Sequence, residues 1–216
     1  AQLARLIRST DAADARRRRG FRPPARQRDE HGPFPPPPAY GFHGRARELL
    51  ALERALCTPP HNQRGIVVHA MGGMGKTALA SEAAEWWTRI GLFRDGACFV
   101  SFEQFTSAER VVQVFGCYVA GEQFNQLPPG EQRRRAIEFL QQQQVLLVWD
   151  NFESTLPQFN DAASPYTDDE RRRLAELFAD LTRGLGRGAV LVTCRPGETG
   201  LPGARRHELH GLARAD

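Results

Sequence analysis

Residues 65–77 read Gly-Ile-Val-Val-His-Ala-Met-Gly-Gly-Met-Gly-Lys-Thr, and this stretch decides the fold. Its first part, residues 65–70, is a short β-branched apolar run that suits a strand buried on both faces. Glycines follow, and residues 76–88 then carry alanine and leucine at helical intervals. A strand, a glycine-rich turn and a helix in this order predict a loop whose backbone amides form a nest for an anion at the helix N-terminus.

The loop matches the phosphate-binding pattern G-x-x-x-x-G-K-[ST] except at its first glycine, where Ala70 stands. Alanine is small enough not to forbid the turn. A chance glycine-rich turn is the alternative, but the strand before the loop, the helix after it and the intact Gly-Lys-Thr argue against that reading. We expect Lys76 to contact the β- and γ-phosphates and the Thr77 hydroxyl to bind magnesium. The residues expected to hold the phosphates are Met71, Gly72, Gly73, Met74, Gly75, Lys76 and Thr77.

The rest of the chain alternates apolar runs typical of buried strands with amphipathic stretches typical of helices. This alternation predicts an α/β fold, a three-layer sandwich in which a mainly parallel sheet is flanked by helices. Ligands bind such sheets at the carboxyl ends of the strands. The predicted strands are 65–70, 97–102, 144–150, 189–194 and, as a fifth candidate, 205–209; the predicted helices are 45–56, 76–88, 107–121, 130–143 and 168–183.

Asp150 ends the apolar strand 144–150. A carboxylate in that position is costly to bury unless a cation or hydrogen-bond donors accompany it. A magnesium ion held at the loop of the neighbouring strand, with Thr77, would offset this cost in a Walker B arrangement. The alternative is an aspartate that only caps the next turn. The phosphate loop upstream favours Asp150 as a metal ligand.

Two further residues at strand ends are candidates for catalysis. Glu153 follows Asp150 closely and could orient or deprotonate an attacking water, although a glutamate on a surface loop is the alternative. Arg195 comes directly after the strand 189–194, from which it could reach the γ-phosphate as a sensor. A simple surface ion pair is the alternative for Arg195. Asn151, and not a second acid, directly follows Asp150, and this argues against efficient hydrolysis.

Several motifs in a fixed order resemble the NB-ARC branch of the STAND class of P-loop NTPases, especially its bacterial members. They are Phe42-His43-Gly44-Arg45, the Gly-Met-Gly-Lys-Thr loop, residues 145–153 (Val-Leu-Leu-Val-Trp-Asp-Asn-Phe-Glu), residues 190–195 (Val-Leu-Val-Thr-Cys-Arg) and residues 208–212 (Glu-Leu-His-Gly-Leu). The resemblance covers residues 42–216, which we interpret as one nucleotide-binding domain with the P-loop NTPase fold.

The resemblance implies roles that spacing alone does not. Gly44 and Arg45 would lie beside the adenine, with Phe42 as a base contact, and Thr193 and Arg195 would lie on the sensor strand. The family acts as a switch in which ADP holds a closed form and ATP permits oligomerisation. The helical and winged-helix subdomains of the family would follow Asp216, so we expect the chain to be part of a longer polypeptide and not a complete switch.

Composition narrows the class of protein. Of the 216 residues, 41% are hydrophobic and 25% are charged, which is the range of a soluble globular protein. There is no apolar run of about 18 residues, which argues against a membrane span. No apolar signal-peptide core follows the N-terminus, and the four cysteines are scattered without a metal-binding spacing. We therefore expect a cytoplasmic protein with reduced thiols.

The net charge of +4 comes mainly from residues 1–41. This segment has four consecutive arginines at 16–19 and a run of prolines at 35–38. Such a composition predicts a disordered, basic linker or the tail of a preceding domain, with a short helix at about 2–17. Specific nucleic-acid binding by the basic residues is the disfavoured alternative.

These observations favour a magnesium-dependent ATP- and ADP-binding domain that acts as a signalling switch with slow hydrolysis. A conventional ATPase with steady turnover is the first alternative, and Asn151 weighs against it. A DNA-binding regulator that uses residues 1–41 is the second alternative. The expected partners are an adenine nucleotide and, in the ATP state, other protein domains or a second copy of the chain.

Overall fold

The computed structural model describes residues 35, 41–57, 64–160, 164–184 and 186–211. The predictions for the N-terminal segment, namely the proline-rich linker and the helix at about 2–17, therefore lie outside the described residues, apart from Pro35 and Gly41. The leucine at position 212, in the last of the family-like motifs, also lies outside them.

Helices and strands alternate along the described chain. The helices are α1 (Ala46–Cys57), α2 (Lys76–Arg89), α3 (Ala108–Ala120), α4 (Pro129–Gln142) and α5 (Asp168–Thr182). The strands are β1 (Gly65–His69), β2 (Ala97–Ser101), β3 (Leu146–Asp150), β4 (Ala189–Cys194) and β5 (Arg205–Glu208). Each element begins and ends within two residues of its predicted position. Three short 3₁₀ turns, which the sequence did not predict, lie at Glu122–Gln126, Phe152–Thr155 and Pro157–Phe159.

The five strands form one parallel sheet in the order β2-β3-β4-β1-β5. This confirms the predicted α/β sandwich and the P-loop NTPase-like fold. One expectation was wrong: the strand that ends at Asp150 is not the neighbour of β1, because β4 pairs with both β1 and β3. All six residues of β4 are buried, as a central strand with helices on both faces requires.

Alternate residues of the strands build two cores, one on each face of the sheet. Val67, Trp149 and Val192 pack with α3, α4 and α5, whereas Ile66, Val68 and Leu191 pack with α1 and α2. Because both faces of the sheet are covered by helices, ligands can reach the strands only at their ends. No helix in the described ranges is long and apolar enough to cross a membrane.

The two consecutive tryptophans of α2, Trp86 and Trp87, differ in burial, because neighbouring side chains of a helix point about 100° apart. Trp87 is fully buried in the core that α1 and α2 share, where its ring contacts Phe93. Trp86 is 40% exposed, and the Arg89 guanidinium lies 5.9 Å from its ring centroid.

Candidate functional site

The loop between β1 and α2 has a backbone that requires glycine at two positions. Gly73 has φ +78° and Gly75 has φ +81°, which is the left-handed region that side chains disfavour. A Cβ at either position would meet nothing within 4 Å, so the constraint is conformational and the loop is open on its outer side. The N–H groups of residues 71–77 donate no hydrogen bond to any protein group in the described part of the chain. These amide donors are therefore available to a ligand.

The side chain of Lys76 folds back over this loop. Its ammonium donates to the carbonyl oxygen of Ala70 at 2.9 Å and to that of Met71 at 3.1 Å. Lys76 is only 8% exposed, whereas Met71 is 80% exposed at the tip of the loop. The cation is thus held at the centre of the loop by two carbonyl groups of the loop itself.

Thr77 and Asp150 come together although 73 residues separate them. The Thr77 hydroxyl donates to Asp150 Oδ1 at 2.9 Å, and its oxygen lies 3.1 Å from Oδ2. Asp150 is only 4% exposed. Thr193, on the intervening strand β4, donates from its hydroxyl to Asp150 Oδ1 at 2.5 Å. The buried carboxylate is therefore solvated by two hydroxyl groups, one from α2 and one from β4.

Glu153 and Arg195 form an ion pair beside the phosphate loop. Arg195 Nε donates to Glu153 Oε1 at 3.0 Å, and the guanidinium carbon lies 5.6 Å from the centroid of the Phe159 ring. The same guanidinium carbon lies 3.8 Å from the position that a Cβ on Gly72 would occupy. The Glu153 side chain is 10% exposed, and its Oε2 is buried without a hydrogen-bond partner among the described residues.

Asn151 sets the direction of the segment that carries Glu153. It has φ +58°, the only positive φ of a non-glycine residue in the described ranges. Asn151 follows the last residue of β3, and its left-handed conformation turns the chain into the short 3₁₀ segment Phe152–Thr155. Its N–H donates to the Thr193 hydroxyl at 3.1 Å.

Burial, with a further contribution from the charge of Glu153, raises the pKa of the neighbouring Cys194 thiol to about 12, so this thiol is inert at neutral pH.

Arg45 connects the start of α1 to the phosphate loop. It is 6% exposed, and its guanidinium donates to the carbonyl oxygens of Met74, at 3.2 Å, and of His210, at 2.6 Å. It also pairs with Glu48 at 2.8 Å. Burial raises the pKa of Glu48, but the hydrogen bond from Arg45, a backbone hydrogen bond and the charges of Arg45 and His207 together lower it overall.

The other two residues of the same motif lie on either side of His43. Gly44 has φ +72° and turns the chain into α1. Phe42 is partly buried against the core that contains Ala70 and Leu79. The three residues expected near the adenine, Phe42, Gly44 and Arg45, are thus joined to the phosphate loop by packing and by one arginine.

Sequence reasoning missed the part that Thr193 has in this site. The resemblance placed Thr193 on the sensor strand without a partner. The only local signal is a threonine near the end of a strand that is otherwise apolar or thiol-bearing. Such a hydroxyl, buried at 0% exposure, needs a hydrogen-bond partner. Its partner could not be identified without knowing that β4 lies next to β3.

No group of three or more His, Cys, Asp or Glu residues in the described ranges could hold a metal ion. A site built only from protein carboxylates or imidazoles is therefore not found there. The pair of Thr77 and Asp150 is a smaller donor set. It resembles the way in which proteins bind magnesium together with phosphate oxygens and water, through one or two carboxylates.

Comparisons with known proteins bear on the fold and on the family of the chain. The fold is similar to that of the Aeropyrum pernix ORC2 protein in ADPNP-ADP complexes, with a TM-score of 0.57 and 15% identity over 85% of this chain and 51% of that one. It is also similar to Drosophila ORC bound to DNA, with a TM-score of 0.50 and 10% identity over 88% of this chain and 50% of that one. The chain thus spans about half the length of these structures, and at such identities the likeness concerns the fold alone. No curated protein matches the sequence.

The sequence itself matches the NACHT domain over residues 64–215. The NB-ARC branch, which the motifs resemble, is not confirmed by this match. The matched stretch includes the phosphate loop, Asp150, Thr193 and Arg195, and it covers well over half of the chain. The chain therefore belongs to the NACHT domain family, within the P-loop NTPase fold.

Proposed function

We propose that this chain binds ATP and ADP with magnesium and acts as a nucleotide-controlled switch with slow hydrolysis. The observation that carries the proposal is the contact of the Thr77 hydroxyl with the buried Asp150 carboxylate at 2.9 Å. It joins the end of the phosphate loop to the one acid that ends a central strand. Loop and acid together are the two halves of a magnesium–phosphate site.

The loop fits a bound polyphosphate. Its amides at 71–77 lack protein acceptors among the described residues, and the glycines leave the outer side of the loop open. Within the described residues the ammonium of Lys76 makes two hydrogen bonds, both to carbonyls, and it can donate a third to a phosphate oxygen. Amides, ammonium and helix N-terminus thus all present positive charge on one side of the loop.

Magnesium would be held by Thr77 and Asp150, and it would neutralise negative charge on the phosphates. Without a cation, Asp150 is a 4% exposed carboxylate whose hydrogen-bond donors, in the part of the chain that the structure describes, are two hydroxyl groups. This is a weak form of compensation for a buried charge. The donor set therefore fits a divalent cation better than it fits a purely structural aspartate.

We assign the base-binding side to Phe42, Gly44 and Arg45. Arg45 holds the Met74 carbonyl of the phosphate loop and the His210 carbonyl after β5, so the three segments form one surface. The similar Aeropyrum pernix ORC2 protein was solved in ADPNP-ADP complexes, which supports an adenine nucleotide as the ligand.

The Arg195–Glu153 ion pair supports slow hydrolysis. One oxygen of Glu153 accepts a hydrogen bond from Arg195, and the other is buried without a partner among the described residues, so the ion pair must open, or water must enter, before Glu153 can act as a base. Arg195 is also next to Gly72, where a γ-phosphate could compete with Glu153 for its guanidinium. In this proposal Arg195 is the sensor of the γ-phosphate and Glu153 is the general base. Asn151, in place of a second acid, adds to the slowness.

A switch acts through a partner, and we assign that role to other protein domains or to a second copy of the chain in the ATP state. Drosophila ORC, which shares the fold, is bound to DNA in its structure, so the expectation that nucleic acid is no partner has no support from the comparisons. DNA binding through the basic segment 1–41 predicts an affinity that falls steeply with salt and is lost when that segment is removed.

The test is to identify the nucleotide that copurifies with the chain and then to measure a single turnover of ATP. The proposal expects ADP or ATP in the purified protein and a phosphate release much slower than the median enzyme turnover of about 10 s⁻¹. Rapid release in the single turnover that continues when ATP is in excess would instead support the conventional ATPase. A protein free of nucleotide that also fails to bind added ATP and ADP would contradict both functions.

A further inference from the structure

Thr193 occupies the middle of the site, where its hydroxyl group makes two hydrogen bonds in different directions. It donates to Asp150 Oδ1 at 2.5 Å and accepts from the backbone N–H of Asn151 at 3.1 Å. Thr193 is 0% exposed, so water does not compete for this hydroxyl. A buried threonine often bonds to its own helix or turn. Here both partners lie on the neighbouring strand or just after it.

We infer that Thr193 is a positioning residue that holds the Asp150 carboxylate in the orientation needed for magnesium. The inference rests on the proposed function. The distance of 2.5 Å lies in the range of a charge-assisted hydrogen bond from a hydroxyl to a carboxylate. Such a bond fixes Oδ1, whereas the one hydrogen-bonding group close to Oδ2 among the described residues is the Thr77 hydroxyl, at 3.1 Å. The carboxylate therefore keeps acceptor capacity on the side of Oδ2 for a cation.

The second hydrogen bond couples the metal ligand to the turn that follows it. Asn151 adopts a left-handed conformation that non-glycine residues disfavour, and such conformations persist only where the surroundings hold them. The Thr193 hydroxyl accepts the N–H of this residue and so holds the turn. Since Glu153 follows two residues later and pairs with Arg195, one hydroxyl group supports both the metal ligand and the path to the candidate base.

The experiment compares two matched pairs of side chains that differ only by a hydroxyl. Thr193 and T193V have nearly the same shape, and T193S and T193A both lack the γ-methyl group. T182V is the control, because Thr182 is also buried but donates within α5, to the Phe178 carbonyl. For the parent and each variant of the 216-residue chain, calorimetry gives the ADP affinity in EDTA and at a series of magnesium concentrations.

We expect T193V and T193A to require about 10- to 100-fold more magnesium for the same gain in ADP affinity, as is usual when a residue that orients a metal ligand is lost. T193S and T182V should stay close to the parent, and the affinity in EDTA should change little in all variants. A T193V protein with the magnesium requirement of the parent would overturn the inference. Equal shifts in T193S and T193A would also overturn it, because the loss would then come from packing.

A second readout does not depend on nucleotide. Amide hydrogen exchange at Asn151, measured in the nucleotide-free protein, should become faster in T193V and T193A and stay unchanged in T193S. Unchanged exchange in all variants would overturn the coupling to the turn. If the parent chain shows no magnesium effect on ADP binding, the proposed function fails, and the metal half of this inference fails with it. The exchange result then still decides whether Thr193 holds the turn.

Discussion

Replacing Lys76 by methionine removes one charge at the centre of the phosphate loop and keeps most of the side-chain volume. In the nucleotide-free chain the lost donor leaves the Ala70 carbonyl without a hydrogen bond, since Lys76 is its only donor among the described residues. Ala70 is 8% exposed, so this carbonyl would be left unsatisfied, which costs about 1–3 kcal/mol. The Met71 carbonyl belongs to a residue that is 80% exposed, and water can replace the ammonium there.

Burying the Lys76 ammonium costs the parent chain some free energy of hydration. Lys76→Met does not have this cost, and the difference offsets part of the loss at the Ala70 carbonyl. We therefore expect the free energy of unfolding to fall by about 1 kcal/mol, which lowers Tm by roughly 2–4 °C in a chain of this size. Nucleotide affinity should fall far more. Loss of a charge-assisted contact to phosphate is worth about 3 kcal/mol, which corresponds to about a 100-fold rise in Kd.

The assay is calorimetry with ADP and magnesium, together with thermal unfolding of the same samples without nucleotide. Lys76 is the only lysine of the chain, so an amine-reactive reagent followed by peptide mapping reports on this side chain and on the N-terminal amine alone. Bound nucleotide should protect Lys76 from the reagent. A Lys76→Met protein that is well folded and binds ADP as tightly as the parent would refute the assignment of the loop. Labelling of Lys76 at the same rate with and without nucleotide would refute it as well.

Three further predictions concern other side chains. Arg195→Ala should narrow the difference between the affinities for ATP and ADP in calorimetry, because only ATP has the phosphate that Arg195 would contact; equal losses for both nucleotides would reject the sensor role. Iodoacetamide should label the exposed Cys57 before the buried Cys98, Cys117 and Cys194. The pKa values of all four thiols are raised, so exposure sets this order. Mass spectrometry that shows early labelling of Cys194 would contradict the described core. Burial lowers the pKa of His207 below its ordinary value of 6.5, so the contribution of His207 to stability is complete above pH 6.5 and decreases as the pH falls toward the lowered pKa. His207→Gln should flatten this part of the curve when stability is measured by denaturant unfolding at a series of pH values. An unchanged curve would count against the burial of His207.

The strands and helices could be predicted from the sequence because each apolar run is bounded by glycine, proline or charged residues. β4 is an example, since its predicted bounds, 189–194, are those of the structure. The order of the strands could not be predicted in the same way. Strand pairing is a non-local property, and a buried apolar run suits any central position of a parallel sheet. Asp150 and the phosphate loop were therefore expected on neighbouring strands, which β4 in fact separates.

The residues of the site were named from motifs, but their contacts with one another were not. The ion pair of Arg195 with Glu153 joins two loops that only the fold brings together. Of the two roles considered for Arg195, the structure shows the ion pair, with Glu153, whereas the sensor role stays a prediction. Long arginine side chains reach several partners, as Arg45 also does, and sequence spacing does not reveal such reach.

The claim that Thr77 and Asp150 bind a magnesium ion beside the phosphate loop is tested most directly by one calorimetric comparison. ADP is titrated into the parent chain and into Asp150→Ala, each with magnesium and with EDTA. The account predicts that magnesium raises the affinity of the parent at least about tenfold. The variant should still bind ADP through the loop, with the same affinity in both buffers. A full magnesium effect in Asp150→Ala, or no heat from the parent in either buffer, would contradict the account.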